Sequence, residues 1–493
     1  MFFQQFLSKC RSLIAFASIS TALAVLSYPA FAQTIPADVL AALNKAKVPL
    51  DAVSMLVMPA DGNASQTPRL AHRAHNPMNP ASVMKLVTTY AALDLLGPSY
   101  TWSTPVYVNG TVRDGTLHGN VVIVGQGDPK LVVERLWLLF RRLQGLGIHT
   151  IHGDIILDNS AFELPVTEPG GFDGEALRPY NASPDALLIN YKSLAMTFSP
   201  DTQAQVARIQ YEPPLAGVQL QATVPLVAGD CNDYRSTLQA NFSDVNAIRF
   251  AGAYPAGCME KSWPLAYMDA QSFAQRALLG IWQTMGGKIT GSVRMGVLPV
   301  PNAVQTPTLE ATSAPLAELV RDINKFSNNV MAQQVFLTLG RVFNASANGK
   351  GSFNASRSVV QRWWSERITQ DEIPVLDNGS GLSRQERISA QALGRLLQIA
   401  YLSPLMPEFM ASLPIAGVDG TLRRSKAQSK GVAHLKTGSL NNVVAIAGYV
   451  LAQSGQRYIL VAMMNHPNAH AARPAMDALL DWTTQDRNIY ANH

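Results

Sequence analysis

The chain has 493 residues, of which 47% are hydrophobic and 15% are charged, so it can bury a large core and is long enough for two or three domains. Its formal net charge of +5 is too weak to indicate a nucleic-acid partner, and the sequence has no basic run with interleaved aromatic residues.

The N-terminal segment has the pattern of a secretory signal peptide. Lys9 and Arg11 precede an apolar stretch over residues 13–26, and Ala30-Phe31-Ala32 places small residues where a signal peptidase reads them. We therefore expect residues 1–32 to be removed, leaving 37 basic and 34 acidic residues. A membrane anchor is less favoured, because the stretch is short for a hydrocarbon core of about 30 Å and no second span follows. The mature protein is expected in the periplasm without a transmembrane anchor.

Two strands and a helix are predicted next. Residues 53–59 and 70–75 are apolar and β-prone. A helix is predicted from Asn79 to Leu96, where Gly97-Pro98 is a normal stop signal. Its apolar residues cover nearly every face, which is typical of a buried central helix.

The pattern then changes to short strands and turns, which predicts a strand-rich insertion. The predicted elements are strands at residues 105–109, 110–117, 120–124 and 151–157, a helix at 131–144, an all-β module over 179–256, a helix at 270–285, a strand at 288–297 and a linker over 299–307.

Two cysteines, Cys231 and Cys258, lie within this insertion and remain after Cys10 leaves with the signal peptide. An even number of cysteines in an oxidising compartment predicts a structural disulfide, worth about 3 kcal/mol. The alternative, a metal pair, lacks CxxC spacing and a nearby histidine.

The last region combines helices with three strands. The predicted elements are helices at 317–326, 329–343, 352–367 and 390–401, strands at 432–436, 443–451 and 457–464, and a final helix from about residue 472. Together with the two N-terminal strands, the late strands would form one antiparallel sheet flanked by helices and closed by distant ends of the chain. The predicted fold class is therefore α/β (α+β).

The first chemical motif is Ser82-Val83-Met84-Lys85. Residues three apart on a helix share a face, so the hydroxyl and the amine would project side by side. A lysine can take the proton of a serine once burial or a second cation has lowered its own pKa. This is the only SxxK in the chain. We interpret Ser82 as a nucleophile and Lys85 as its base.

The second motif is Lys436-Thr437-Gly438-Ser439, which the pattern places at the end of a predicted strand. An edge strand with a lysine, a hydroxyl and a close-packing glycine can dock an extended peptide. Lys436 and Thr437 would then meet a carboxylate, and the backbone N–H of Ser439 could complete an oxyanion hole. The plain alternative is a solvated strand end followed by a turn.

The third motif is Ser327-Asn328-Asn329, at the junction of two predicted helices. Its alternative is a helix N-cap, a role that is compatible with catalysis. The order SxxK, SxN, KTG is typical of serine penicillin-recognising enzymes.

With these motifs the sequence resembles the class C low-molecular-mass penicillin-binding proteins, the D-alanyl-D-alanine carboxypeptidase/endopeptidase family of penicillin-binding protein 4. The resemblance covers nearly the whole mature chain, and the distance of 245 positions from Ser82 to Ser327 is characteristic of it. It also rests on three further segments: Gly125-Gln126-Gly127-Asp128-Pro129, Gly153-Asp154-Ile155-Ile156-Leu157-Asp158 and Asp377-Asn378-Gly379-Ser380-Gly381-Leu382-Ser383-Arg384.

The resemblance implies a role for each motif residue. Ser82 attacks the carbonyl between two D-amino acids, and Lys85 takes its proton. Ser327 relays a proton to the leaving amine, and Asn329 holds the acyl-side amide. Lys436 and Thr437, which Gly438 follows in the second motif, receive the substrate carboxylate. The backbone N–H groups of Ser82 and Ser439 bind the oxyanion. Ser439 is a departure, since threonine is more familiar there.

The resemblance also implies a penicillin-recognising transpeptidase/β-lactamase-like domain with two inserted, strand-rich domains. The expected bounds are residues 33–99 and 300–493 for the catalytic domain, 100–178 and 264–299 for an inserted α/β domain, and 179–263 for an inserted all-β domain. No metal or organic cofactor is needed. The expected partners are peptidoglycan stem peptides and, as covalent inhibitors, β-lactams; a homodimer is an expectation of the family.

Two rival functions stay open at this point. A serine β-lactamase would need fast deacylation, and the sequence has no ExxLN segment before Lys436 and no Tyr-x-Asn at a helix junction. A non-catalytic envelope binder or β-lactam sensor would keep the fold without turnover, although such sensors usually carry a membrane-spanning module.

Overall fold

The computed structural model describes residues 34–62, 67–297, 306–344 and 349–486. The predicted signal peptide and most of the predicted linker over residues 299–307 lie outside the described residues. Within the described ranges, no helix combines the length and hydropathy that a membrane span requires.

Helices and strands alternate in long blocks along the chain. The helices of the described residues are α1 (Ala37–Lys45), α2 (Lys85–Leu96), α3 (Val133–Gly145), α4 (Tyr234–Leu238), α5 (Phe273–Thr284), α6 (Leu316–Phe326), α7 (Asn329–Phe343), α8 (Phe353–Arg367), α9 (Ala390–Leu402), α10 (Met406–Ala411) and α11 (Arg473–Thr484).

The strands of the same residues are β1 (Val53–Pro59), β2 (Leu70–His72), β3 (Ser103–Arg113), β4 (Thr116–Val124), β5 (Thr150–His152), β6 (Ile155–Asp158), β7 (Ser193–Asp201), β8 (Val206–Glu212), β9 (Gln219–Leu220), β10 (Thr223–Val227), β11 (Ala240–Asn241), β12 (Ala247–Phe250), β13 (Tyr254–Pro255), β14 (Lys261–Ala266), β15 (Lys288–Ile289), β16 (Val293–Met295), β17 (Leu309–Thr312), β18 (Ala433–Leu440), β19 (Val443–Leu451) and β20 (Arg457–Asn465).

One antiparallel sheet joins the two ends of the chain, as the sequence predicts. Its strand order is β18-β19-β20-β1-β2. In its centre Leu56 of β1 pairs with Val461 of β20. These strands read as nearly continuous apolar runs because helices cover both faces of the sheet.

Helix α2 is the central helix that its all-round apolar pattern predicts. Every residue from Lys85 to Leu93 is buried. The helix shares one core with α6, α7, α8 and α9 on one face of the sheet, whereas α1 and α11 pack on the other face. Because α2 is enclosed, a polar side chain on it meets protein groups rather than water.

The middle of the chain forms three further sheets, with strand orders β15-β5-β4-β3-β17, β13-β10-β8-β7-β14 and β11-β12-β9. In the first of these, β6 pairs with both β4 and β16. The predicted disulfide is present and joins Cys231 to Cys258. The domain bounds stay a prediction; the pairing of β17 with β3 favours a return to the catalytic domain after Thr312 rather than at residue 300.

The strand predicted at residues 110–117 is wrong. The chain stays extended through Gly110 and reverses at Asp114 and Gly115, both of which have positive φ angles of a two-residue hairpin turn. Gly110 lies opposite Gly119 in the ladder, where an added Cβ would meet the backbone of the neighbouring strand at 2.2 Å. That glycine therefore marks a close approach of two strands and not a turn.

Candidate active site

Ser82 lies in a 3₁₀ turn, Ala81–Met84, immediately before α2. Ala81 adopts a positive φ of 47°. Asn79 holds this geometry, since its Oδ1 accepts a hydrogen bond from the Ala81 N–H at 2.8 Å, and Asn465 of β20 binds both backbone groups of Asn79. Because residues three apart are eclipsed in a 3₁₀ turn, Ser82 comes to lie directly over Lys85.

The Lys85 amine has three oxygen partners. Its Nζ lies 3.0 Å from Ser82 Oγ, 2.6 Å from Asn329 Oδ1 and 2.5 Å from the Ser380 carbonyl oxygen. The last two oxygens can only accept hydrogen bonds, so a neutral amine gives them its two N–H groups and turns its lone pair toward Ser82. The structure therefore presents a base to the hydroxyl.

Burial makes this neutral form accessible. Lys85 has no exposed surface. Burial lowers the pKa of Lys85 to about 7, against the opposing effect of the negative charge of Glu386. Near neutral pH a substantial fraction of the amine is then free to take the Ser82 proton.

Ser327 and Lys436 form a second hydroxyl–amine pair. Ser327 ends α6 with a positive φ of 56°, a conformation that turns the chain toward α7. Lys436 Nζ donates to Ser327 Oγ at 2.8 Å and to the Thr437 carbonyl oxygen at 2.7 Å. Lys436 is fully buried, and burial followed by the charge of Lys85 lowers its pKa well below the ordinary value. A proton could therefore pass along this pair.

The second motif lies within β18 and not at a strand end, because β18 continues to Leu440. It is an edge strand, as predicted. A Cβ on Gly438 would meet the Pro80 carbonyl oxygen at 2.4 Å and the Ser82 nitrogen at 3.2 Å. Glycine thus lets β18 pack directly against the turn that carries Ser82. Thr437 Oγ1 lies 2.7 Å from Thr421 Oγ1.

A cavity of about 640 Å³ opens onto these groups. Its lining includes residues of all three motifs and a basic rim, namely Ser82, Ser327, Thr437, Gly438, Ser439, Arg424, Lys426 and Arg473. Neither Lys85 nor Lys436 is among the described residues that line it. Ser82 and Ser327 line the cavity, whereas the amines of Lys85 and Lys436 contact their hydroxyls from the buried side.

Asn329 belongs to the site but has both ends of its amide engaged. Its Oδ1 accepts from Lys85, and its Nδ2 donates at 3.0 Å to the carbonyl oxygen of Tyr180, which lies in the insertion. The residue is 6% exposed. A substrate amide would have to displace the Tyr180 contact, so the arrangement shown positions Lys85.

The sequence reasoning missed Glu386. This carboxyl is fully buried, and its Oε1 accepts the N–H groups of Asp377 at 3.2 Å and Gly379 at 3.0 Å. Its Oε2 has no hydrogen-bond partner in the described part of the chain. Burial raises the pKa of Glu386 to about 7. The Gly-Ser loop that it holds supplies the Ser380 carbonyl to Lys85. A lone glutamate in a loop carries no sequence signal for this role.

The arrangement can perform acyl transfer. It offers a hydroxyl nucleophile with a neutral amine behind it, a second hydroxyl–amine pair for the leaving group, and an edge strand for an extended peptide. In the described residues no three metal-binding side chains cluster. The fold and the site define a serine hydrolase of the penicillin-recognising class.

Comparisons with known proteins give the family. The model of the D-Ala-D-Ala carboxypeptidase 3 (S13) family matches residues 37–486, and the chain belongs to this family of serine peptidases. It is 26% identical over 428 residues to a D-alanyl-D-alanine carboxypeptidase of Actinomadura sp., covering 84% of this chain and 77% of the relative. It is 25% identical over 396 residues to the D-alanyl-D-alanine carboxypeptidase DacB of Haemophilus influenzae, covering 78% and 80%.

The fold is also that of solved structures. Penicillin binding protein 4 of Haemophilus influenzae matches with a TM-score of 0.66 at 22% identity, over 90% of this chain and 99% of that one. The predicted fold class, a penicillin-recognising domain with additional strand-rich parts, is confirmed.

Proposed function

We propose that the protein hydrolyses the peptide bond after a D-alanine in peptidoglycan stem peptides through an acyl-enzyme on Ser82. The observation that carries this proposal is the 3.0 Å contact between Lys85 Nζ and Ser82 Oγ, with the two N–H groups of the neutral amine taken by fixed carbonyl oxygens. The contact joins a nucleophile to a base whose pKa burial lowers to about 7.

Acylation involves two proton transfers, one away from the Ser82 hydroxyl and one onto the leaving amine. Ser82 gives its proton to Lys85 as Oγ bonds to the carbonyl carbon. The C–N bond then breaks, and the leaving amine takes a proton from the Ser327 hydroxyl, which Lys436 supplies in turn. Backbone N–H groups of Ser82 and Ser439 stabilise the oxyanion. Water finally hydrolyses the ester: its oxygen bonds to the carbonyl carbon and its proton passes through Ser327 to Lys436, while Ser82 Oγ leaves and takes back the proton held by Lys85.

The substrate peptide is held along β18. An extended peptide adds to this edge strand by main-chain hydrogen bonds, with Thr437 and Ser439 turned toward its carboxylate. The close approach at Gly438 places that strand beside the nucleophile. Asn329 binds the acyl-side amide after its hydrogen bond to the Tyr180 carbonyl oxygen breaks.

Both free D-Ala-D-Ala ends and D-Ala-diaminopimelate crosslinks are proposed substrates. The curated relatives are named D-alanyl-D-alanine carboxypeptidases, and the fold also occurs in a predatory endopeptidase of Bdellovibrio bacteriovorus with a TM-score of 0.52. Penicillin binding protein 4 of Haemophilus influenzae has been solved with a β-lactam. We propose β-lactams as covalent inhibitors, the periplasm as the compartment, and a homodimer as the assembly.

Product analysis tests this proposal. Purified protein is incubated with monomeric pentapeptide muropeptides and with crosslinked dimers, and the products are read by mass. The expected products are tetrapeptides plus free D-alanine from the first substrate and monomers from the second. Unchanged masses in both incubations, with a folded protein, would rule the activity out.

A further inference from the structure

The substrate carboxylate needs a permanent positive charge, and the buried lysine of the second motif does not supply one. Lys436 has no exposed surface, and its amine is engaged with Ser327 and the Thr437 carbonyl. Burial together with the charge of Lys85 also lowers the pKa of Lys436, so this amine gives up its proton readily, as the proposed reaction requires, and is not a permanent cation. A carboxylate bound at Thr437 and Ser439 would therefore contact their hydroxyls, and the Lys436 amine behind them would not give it a permanent positive charge.

Arg473 lies where this charge is required. It is exposed, it lines the cavity, and its Nη2 donates to Ser439 Oγ at 3.2 Å. It has no carboxylate within ion-pair distance among the described residues. It also opens α11, where the positive end of the helix dipole adds to its charge. Asp477 also lines the cavity, but its carboxylate accepts a hydrogen bond from Ser425 Oγ and does not pair with Arg473.

We propose that Arg473 is the residue that binds the carboxylate on the leaving side of the scissile bond, with Ser439 as its partner. Arg424 and Lys426 also line the cavity, but only Arg473 of the three makes a hydrogen bond to the docking strand in the described residues. A guanidinium can bind a carboxylate through two parallel N–H groups, which gives selectivity for a free acid over a neutral end. This inference rests on the proposed peptidase function and names the group that sets its substrate class.

Two thioesters of one acyl-D-alanine test this role. Both release the same type of thiol, but one leaving group is thioglycolate, which has a carboxylate, and the other is its neutral methyl ester. For Arg473→Gln, kcat/KM on the acid should fall roughly 10- to 100-fold, the value of a charged hydrogen bond, and stay within about twofold on the methyl ester. For Arg473→Lys, kcat/KM on the acid should lie between the values of the wild type and of Arg473→Gln. Arg423→Gln, which removes an exposed arginine outside the cavity, should change neither.

The outcomes separate this inference from the proposed function. Equal kcat/KM losses on both thioesters, or no loss on either, would overturn the role of Arg473 while the wild-type protein still releases thiol. Failure of the wild-type protein to hydrolyse either thioester would instead overturn the proposed acyl transfer and this inference with it. A selective loss on the acid supports both.

Discussion

The carboxyl group of Glu386 and the amine of Lys85 are both fully buried, and the charge of each one favours the charged form of the other. They are joined through a loop, since Glu386 accepts the Gly379 N–H and the next residue, Ser380, accepts from Lys85. Burial acts against both charges, so the pKa values of the two groups come to about 7. The acid therefore keeps its neighbour basic enough to accept a proton.

The pH dependence of acylation should report this coupling. In the proposed mechanism the reactive form of Lys85 is neutral, so the rate of acylation by a penicillin should rise with pH through about 7. Glu386→Gln preserves an acceptor for the Asp377 and Gly379 N–H groups but removes the charge that raises the Lys85 pKa. The rise of the acylation rate with pH should therefore occur at lower pH in this variant. Glu366→Gln makes the same change at an exposed site and should leave the pH profile in place. An identical pH profile in all three proteins would contradict the coupling.

Replacing the base while keeping its charge separates proton transfer from electrostatics. Lys85→Arg retains a cation that cannot become neutral at ordinary pH, so acylation should slow by about 10²- to 10⁴-fold, the usual contribution of a general base. Stopped-flow measurement of fluorescent penicillin binding gives the rate, and circular dichroism checks the fold. A variant that acylates within a few-fold of wild type would show that Lys85 is not the base.

Gly438 should be required for both stability and reactivity. Gly438→Ala would bring a Cβ to 2.4 Å from the Pro80 carbonyl oxygen, so β18 or the Ser82 turn must shift. The expected cost is about 1–3 kcal/mol of unfolding free energy, as for other overpacked sites, together with slower acylation. Gly145→Ala has no atom within 4 Å of the added carbon and serves as the control. Unchanged denaturant midpoint and acylation rate in Gly438→Ala would contradict the tight contact.

The disulfide should matter for stability and not for chemistry. Replacing both Cys231 and Cys258 by serine removes a crosslink across 27 residues of sequence in the insertion. The unfolding free energy should fall by about 3 kcal/mol on the chain-entropy estimate, while the penicillin acylation rate at low temperature stays close to wild type. A large drop in acylation by a variant that is still folded would tie the insertion to the catalytic step.

Much of the fold could be predicted because its main signals are local. The all-round apolar pattern of α2 predicts a buried helix, and the apolar late strands predict a covered sheet. The chemistry of the site is likewise carried by short patterns, since Ser82 and Lys85 lie three residues apart and Lys436 begins a contiguous motif. The structure brings Ser82 and Lys85 into contact, and Lys436 into contact with Ser327.

What could not be predicted depends on packing between distant segments. Glu386 and Arg473 are single charged residues that belong to no motif. Only the folded chain shows that Glu386 is buried near the Lys85 amine and that Arg473 lines the cavity. The engagement of Asn329 by Tyr180 likewise joins the insertion to the catalytic domain. At Gly110 a glycine that permits strands to approach lies inside one long strand, whereas the sequence pattern predicts a break between two strands there, because glycine has the same signal in both settings.

The acylated residue is the most direct test of the account. Wild-type protein and Ser82→Ala are treated with benzylpenicillin, and intact mass followed by peptide mapping locates the adduct. Ser82 is partly exposed and its hydroxyl contacts the Lys85 amine, so the alanine variant should fold with an unchanged melting temperature. We predict one penicilloyl group per wild-type chain, on the peptide that contains Ser82, and none on the variant. An adduct of equal yield on the variant, or on another residue of the wild type, would contradict the assignment.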